Sequence, residues 1–384
     1  MTEPASRRRF LQLAGTSLAL AGTGLAGAAP PALAQPRPSP APSAASAGEP
    51  AGGPVLLNFN ECPYGPSEAA ARAARDSVAS SGRYRFALAA ELQDAFAAQA
   101  GVPRNHVALY PGSSEPLNRA ATLWTGPDAA LVVADPTFEA LGDLATARGA
   151  RVIKVPLRAD GAHDVEAMVV AAQRQPTGLI YLCNPNNPTG TITPADDIAW
   201  LLQHKPAGSI VLVDEAYLQY SSQASLMERI TARDDVVILR TFSKLYGMAG
   251  MRLGVAAATP SRLAELARLG ANPLPVPAMA AGLASLRDAD LVASRSEENA
   301  RIRQGTIAWL GKRGYTCTVS EANCFMVDVQ GDGTAFTRAM TARGVVIGRS
   351  WPIWPTWVRV TVGTEDEMAA FRRAFAEVAG ISAG

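Results

Sequence analysis

Short apolar runs rich in β-branched residues punctuate the middle of the chain: Ala130–Ala134, Val152–Val155, Leu179–Cys183, Ile210–Val213, Val236–Leu239 and Val255–Ala258. Each stops at a polar residue or a Gly/Pro break, as does an earlier run, Val107–Tyr110. Segments of helical periodicity lie between several of them, for example Glu166–Gln173 and Pro194–Gln203. Strands apolar on both faces that alternate with helices predict an α/β domain, a mostly parallel sheet lying between helices. In such sheets ligands bind at the carboxyl ends of the strands. From Glu297 the pattern changes to that of a smaller α+β domain. A helix over Glu297–Lys312 leads to strands at Thr316–Val319 and Cys324–Val329, a helix at Thr334–Arg343, a strand at Val358–Val362 and a closing helix, Glu365–Ala379.

The N-terminus reads as an address. Ser6-Arg7-Arg8-Arg9-Phe10-Leu11 precedes a mildly apolar stretch, Leu13 to Ala29, and the small-x-small site Ala32-Leu33-Ala34. Paired arginines before such a stretch and site resemble a twin-arginine (Tat) signal peptide over 1–34. The implied location is the periplasm, the alternative an uncleaved anchor at the periplasmic face of the membrane. Residues 35–54 are almost wholly Pro, Ala, Ser and Gly and predict a flexible linker. Folded structure is expected over 55–384, as an N-terminal arm (55–80), a large domain (about 81–280) and a small domain (about 281–384).

Composition narrows the function. Of 384 residues 48% are hydrophobic and 18% charged, enough to bury a large core. Lys+Arg is 35 and Asp+Glu 34, so no basic face for nucleic acid is expected. Three histidines and four cysteines, scattered, do not make a metal framework, and no metal is expected. The histidines, His106, His163 and His204, belong to no motif and are read as surface residues.

The polar residues that could do chemistry follow the strands. Asn184-Pro185-Asn186-Asn187-Pro188-Thr189-Gly190 follows one run, Asp214-Glu215-Ala216-Tyr217 the next, and Arg240-Thr241-Phe242-Ser243-Lys244 with Gly250-Met251-Arg252 a third. Pro111-Gly112-Ser113-Ser114-Glu115 follows Val107–Tyr110 and opens a helix. This set suits a pyridine-aldehyde cofactor. Such a group needs an amine whose pKa desolvation can lower, and Lys244 is the candidate. It needs a carboxylate beside the ring nitrogen, for which Asp214 is placed. Asn187 and Tyr217 suit the ring's phenolate oxygen. Ser113 and Ser114 at a helix N-terminus, with Thr241, Ser243 and Arg252, suit a phosphate dianion. Phe138, in Asp135-Pro136-Thr137-Phe138, is the expected cover for the ring face.

Taken in order, these motifs make the chain resemble a fold-type I, class I/II aminotransferase, most like the histidinol-phosphate aminotransferase branch. The marks run from Leu57 to about Phe375. They include Asn58-Phe59-Asn60-Glu61-Cys62-Pro63-Tyr64-Gly65-Pro66, Arg83-Tyr84, Gly112-Ser113-Ser114-Glu115, the Asn-Pro-Asn-Asn-Pro-Thr-Gly loop, Asp214-Glu215-Ala216-Tyr217, Thr241-Phe242-Ser243-Lys244 and Arg359-Val360-Thr361-Val362-Gly363. The resemblance implies the pyridoxal 5'-phosphate (PLP)-dependent transferase fold and transfer of an amino group between an amino acid or phosphorylated amine and a keto acid. It also implies a homodimer with a shared active site, in which Tyr84 reaches the neighbouring subunit's phosphate. Tyr64 would line the substrate pocket, Arg359 would bind the substrate's anionic group, and Arg349 would supply a second cation there.

Cys62 stands where the branch often has Asn, and Ser114 where it often has Asp. The tryptophans in Ser350-Trp351-Pro352-Ile353-Trp354-Pro355-Thr356-Trp357 are expected to form an aromatic pocket wall. A decarboxylase or other lyase on the same scaffold would need the same cofactor residues, and a non-catalytic periplasmic binding protein is a reading from another class. Small-molecule amines and keto acids, with the Tat export machinery in passing, are the expected partners.

Overall fold

The computed structural model describes residues 53–270 and 273–382. The Tat signal over 1–34 and nearly all of the linker over 35–54 lie outside the described residues. Eleven described strands occur in chain order: β1 (Val55–Leu57), β2 (Val107–Tyr110), β3 (Ala130–Asp135), β4 (Val152–Pro156), β5 (Thr177–Cys183), β6 (Ile210–Asp214), β7 (Val236–Thr241), β8 (Gly254–Ala257), β9 (Cys324–Asp328), β10 (Val345–Ile347) and β11 (Trp357–Thr361).

Seven strands form the central sheet, in the order β2-β8-β7-β6-β5-β3-β4. The interior strands are buried along their length because each is apolar on both faces and helices cover both sides. All pairs between β7 and β4 are parallel, whereas β8 runs antiparallel to both of its neighbours. The short β7–β8 connection has no crossover helix to carry the chain back, so the next strand reverses. That connection, Phe242–Leu253, bears Lys244 and Arg252 at the carboxyl end of the sheet.

A second core gathers Ile302, Leu310, Phe325, Val358, Phe371 and Phe375 around the antiparallel pair β9–β11. The arm's first strand belongs here too: β1 pairs parallel with β10, and Leu57 is buried in this core. The first strand of the arm thus packs with the small domain, far from it in sequence.

Other expectations are revised. The long helix begins at Leu291, about 1.7 turns earlier than Glu297. Thr316–Val319 is not a strand; only Cys317 bridges to Val327. The Thr318 N–H donates to the Met326 carbonyl at 2.9 Å, but the Met326 N–H donates back to the Thr318 hydroxyl, at 3.0 Å, in place of a backbone carbonyl, and that hydroxyl donates to the Thr189 carbonyl at 2.6 Å. His163 is fully buried, its backbone N–H at 3.0 Å and its Nδ1 at 2.6 Å from the Thr193 hydroxyl, which gives Nδ1 a partner away from solvent. The four cysteines are free.

Candidate active site

The carboxyl ends of β5, β6 and β7 and the turn after β2 converge on a cavity of about 420 Å³. Ser113, Ser114, Phe138, Asn187, Asp214, Tyr217, Thr241, Ser243, Lys244, Arg252 and Arg359 line it, together with Phe59 and Glu61. The fold thus brings together residues that sequence reading took from six separate segments.

Asp214 ends β6 and is buried. Its Oδ2 accepts a hydrogen bond from the Tyr181 hydroxyl at 3.1 Å, and Oδ1 accepts from the Ala216 N–H at 3.2 Å. Burial pushes its pKa up to about 6, against the pull of the Tyr181 and Ala216 donors and the Lys244 charge. Lys244 opens into the same cavity and donates to the Phe59 carbonyl at 3.2 Å. Burial, reinforced by the Arg359 charge, brings its pKa down to about 8. An amine poised there exchanges protons near neutral pH.

Asn60 Nδ2 donates to the Tyr217 hydroxyl at 3.1 Å. Asn60 itself is held in the left-handed region, at φ 54°, by mutual hydrogen bonds with Thr361. Burial raises the Tyr217 phenol well above its usual range, so it stays a neutral donor. Asn187 Oδ1 accepts from Arg359 Nη1 at 2.8 Å, and Arg359 Nη2 donates to the Asn58 carbonyl. Arg359 therefore enters the cavity already oriented, with its Nε buried and unpartnered.

An anion cradle closes one end. Ser113 precedes the helix Ser114–Trp124, and its hydroxyl makes no capping bond. The Ser243 hydroxyl accepts from Arg252 Nη1 at 3.4 Å, and the Ser243 N–H donates to Thr241 Oγ1 at 3.1 Å. Arg252 lies so close to the turn that a Cβ on Gly112 would come within 2.2 Å of its Nη2. Gly112 has φ +83°, which a side chain would also strain. Free hydroxyls, a helix N-terminus and a guanidinium against bare backbone fit a phosphate group. The buried acid and the half-titrated lysine fit a pyridine aldehyde, so the residues present suit PLP.

Three sequence-named residues are not brought to the cavity of their own chain. Tyr64 is exposed and borders a separate crevice with Cys62 and Arg295, because the arm turns outward at Cys62–Gly65. Tyr84 is exposed, stacked on Phe86 with ring centroids 5.6 Å apart. Arg349 does not line the cavity and is ion-paired with Glu139. The tryptophans do not wall the cavity either: Trp351 is buried behind Arg359, and Trp354 packs on Trp357 at 5.6 Å. Sequence reading gave no role to Tyr181, Asn60 or Glu139. An Asn inside the conspicuous Asn58–Pro66 motif was the one available signal among them.

Comparison with known proteins agrees with this geometry. A family model described as aminotransferase class I and II matches residues 53–375. The chain is 35% identical over 332 residues to a histidinol-phosphate aminotransferase of Moorella thermoacetica, covering 84% of this chain and 85% of that protein. It is 36% identical over 326 residues to an aromatic amino acid aminotransferase of Rhodococcus erythropolis, covering 83% and 88%. A solved histidinol-phosphate aminotransferase from Sinorhizobium meliloti, in complex with pyridoxal-5'-phosphate, superposes with a TM-score of 0.79 at 25% identity, covering 85% of this chain and 91% of that one.

Proposed function

The chain belongs to the class I and II aminotransferase family and is a PLP-dependent aminotransferase; from that premise we propose that it takes its amino group from a donor whose anionic group is gripped by Arg359. PLP, when bound, supplies the electron sink that lets an amino group leave one carbon skeleton for another. The observation that carries the residue roles is the convergence of Lys244, Asp214 and Arg359 on one cavity.

In this reading Lys244 moves the proton. Its pKa of about 8 leaves both amine and ammonium populated near neutral pH. Asp214 holds a negative charge for the ring nitrogen, and Tyr181 with the Ala216 N–H keeps that charge in place. Asn187 and Tyr217 donate to the ring oxygen, while Ser113, Ser114, Thr241, Ser243 and Arg252 hold the phosphate. Phe138 covers the ring face. Arg359 offers a two-pronged contact to a carboxylate or phosphate, and its bond to Asn187 ties substrate capture to the cofactor site.

Lys244→Ala tests the assignment. The variant should fold and bind PLP, lose the visible absorbance that borohydride abolishes in the parent, and form no keto product. Parental turnover in that variant would refute the role. Carbon dioxide released without dependence on an amino acceptor would favour the lyase reading.

Two further proposals rest on sequence and surface. The exposed Tyr84–Phe86 pair supports a homodimer in which Tyr84 reaches the neighbouring cavity, and sedimentation at a monomer's mass would oppose it. The Arg7-Arg8-Arg9 signal supports Tat export to the periplasm, or anchoring at its face. An Arg7→Lys, Arg8→Lys precursor should then stay in the cytosol.

A further inference from the structure

Five charged residues line the cavity: Glu61, Asp214, Lys244, Arg252 and Arg359. With Asp214, Lys244 and Arg252 engaged by the cofactor, Arg359 is the cation left for the substrate. A second guanidinium lies beside it. The Arg359 N–H donates to the Arg349 carbonyl at 3.2 Å, so the two residues sit on adjacent segments. Both guanidinia lie against Trp351, its ring centroid 4.3 Å from Arg349 Cζ and 5.7 Å from Arg359 Cζ. One buried ring thus receives both guanidinia and holds them near each other.

Arg349 is not free to serve a substrate, because its Nη2 is bonded to the Glu139 carboxylate. Glu139 directly follows Phe138, which lines the cavity, and precedes the helix Ala140–Ala147. The neutralising charge thus comes from the large domain, from the residue next to the cavity-lining Phe138. We propose that Glu139 is a specificity-determining residue: by pairing with Arg349 it leaves the pocket one available guanidinium, and so favours donors with a single anionic group and an uncharged side chain over dicarboxylic or phosphorylated ones. The inference rests on the reading that Arg359 grips the donor's anionic group.

The test measures binding of non-reactive anions to the PLP-loaded enzyme by calorimetry. 3-Phenylpropionate carries one carboxylate on an aromatic body, and succinate carries two carboxylates. In Glu139→Gln the affinity for succinate relative to 3-phenylpropionate should rise about tenfold, the order expected of one unit charge uncovered at a half-exposed rim. Adding Arg349→Gln should cancel that gain. Glu139→Asp, which keeps the charge but retracts it, should move the ratio in the same direction by less, and serves if Glu139→Gln folds poorly. An unchanged ratio, an equal gain for both anions, or a gain that survives Arg349→Gln overturns the proposal. These outcomes do not depend on turnover. A parent enzyme that transfers no amino group would sink the functional reading instead.

Discussion

Removing the Tyr181 hydroxyl separates the electrostatics of Asp214 from the chemistry around it. Tyr181→Phe deletes the donor 3.1 Å from Oδ2 and leaves the Ala216 N–H at 3.2 Å in place. In the folded protein Asp214 titrates at about 6, against an ordinary 3.8. Between those values the folded state binds more protons than the unfolded state. Stability of the cofactor-free protein therefore falls as pH rises through that window, by about 3 kcal/mol in all. A hydrogen bond to an ionised carboxylate contributes about 2 kcal/mol and one to the neutral acid about 1 kcal/mol. Losing the hydroxyl should thus raise the Asp214 midpoint by about one pH unit. Urea unfolding of cofactor-free parent and variant at pH 5 and pH 7.5 reads the effect. The variant should be weaker by about 1 kcal/mol at pH 5, where Asp214 is protonated in the folded state of both proteins, and by about 2 kcal/mol at pH 7.5. Lys244 titrates at about 8 in the parent and contributes nearly equally to both proteins at these pH values. Equal deficits at the two pH values would refute the idea that Tyr181 supports the charged form of Asp214.

Gly112→Ala places a methyl within 2.2 Å of Arg252 Nη2 at φ +83°, so stability should drop by about 1–2 kcal/mol in thermal unfolding. Its affinity for PLP should fall at least tenfold, as a displaced charge-assisted bond requires, and an unaltered titration curve would argue against the cradle. Asn60→Ala leaves the Tyr217 hydroxyl without its donor and should lower turnover while the protein still binds PLP, read by single-turnover conversion to the pyridoxamine form. Arg359→Lys keeps the charge but loses the fork shared with Asn187 and Asn58, and should raise KM for carboxylate donors more than it lowers kcat. Equal KM values in parent and variant would remove Arg359 from substrate binding.

The core strands were legible because Ile210–Asp214 and its neighbours are apolar on both faces, which few other settings tolerate. Cofactor-site residues were legible because they sit where those runs end. Three-residue strands such as β1 and β10 carry no periodicity of their own; their pairing partner lies at the other end of the chain. The reversal of β8 depended on the length of a connection, not on the strand's composition. Tyr181 read as one more apolar strand residue, since the acid that its hydroxyl meets lies on the next strand. Glu139 carries no role in the sequence, because Arg349 meets it only after the two domains have come together. Arg349 reads as a substrate cation for the same reason: a sequence motif shows a charge but not its neutralising partner.

The pairing of β1 with β10 has a consequence for biogenesis. The ribosome delivers Val55 early and Val345 late, and the Val55 N–H donates to the Gly344 carbonyl at 2.8 Å only when both have emerged. Until then Leu57 has no completed core to enter. A nascent chain should therefore stay protease-sensitive at its leading segment until synthesis is nearly complete, and any tag or processing event that consumes Val55–Leu57 would loosen the far end of the enzyme, not the near one.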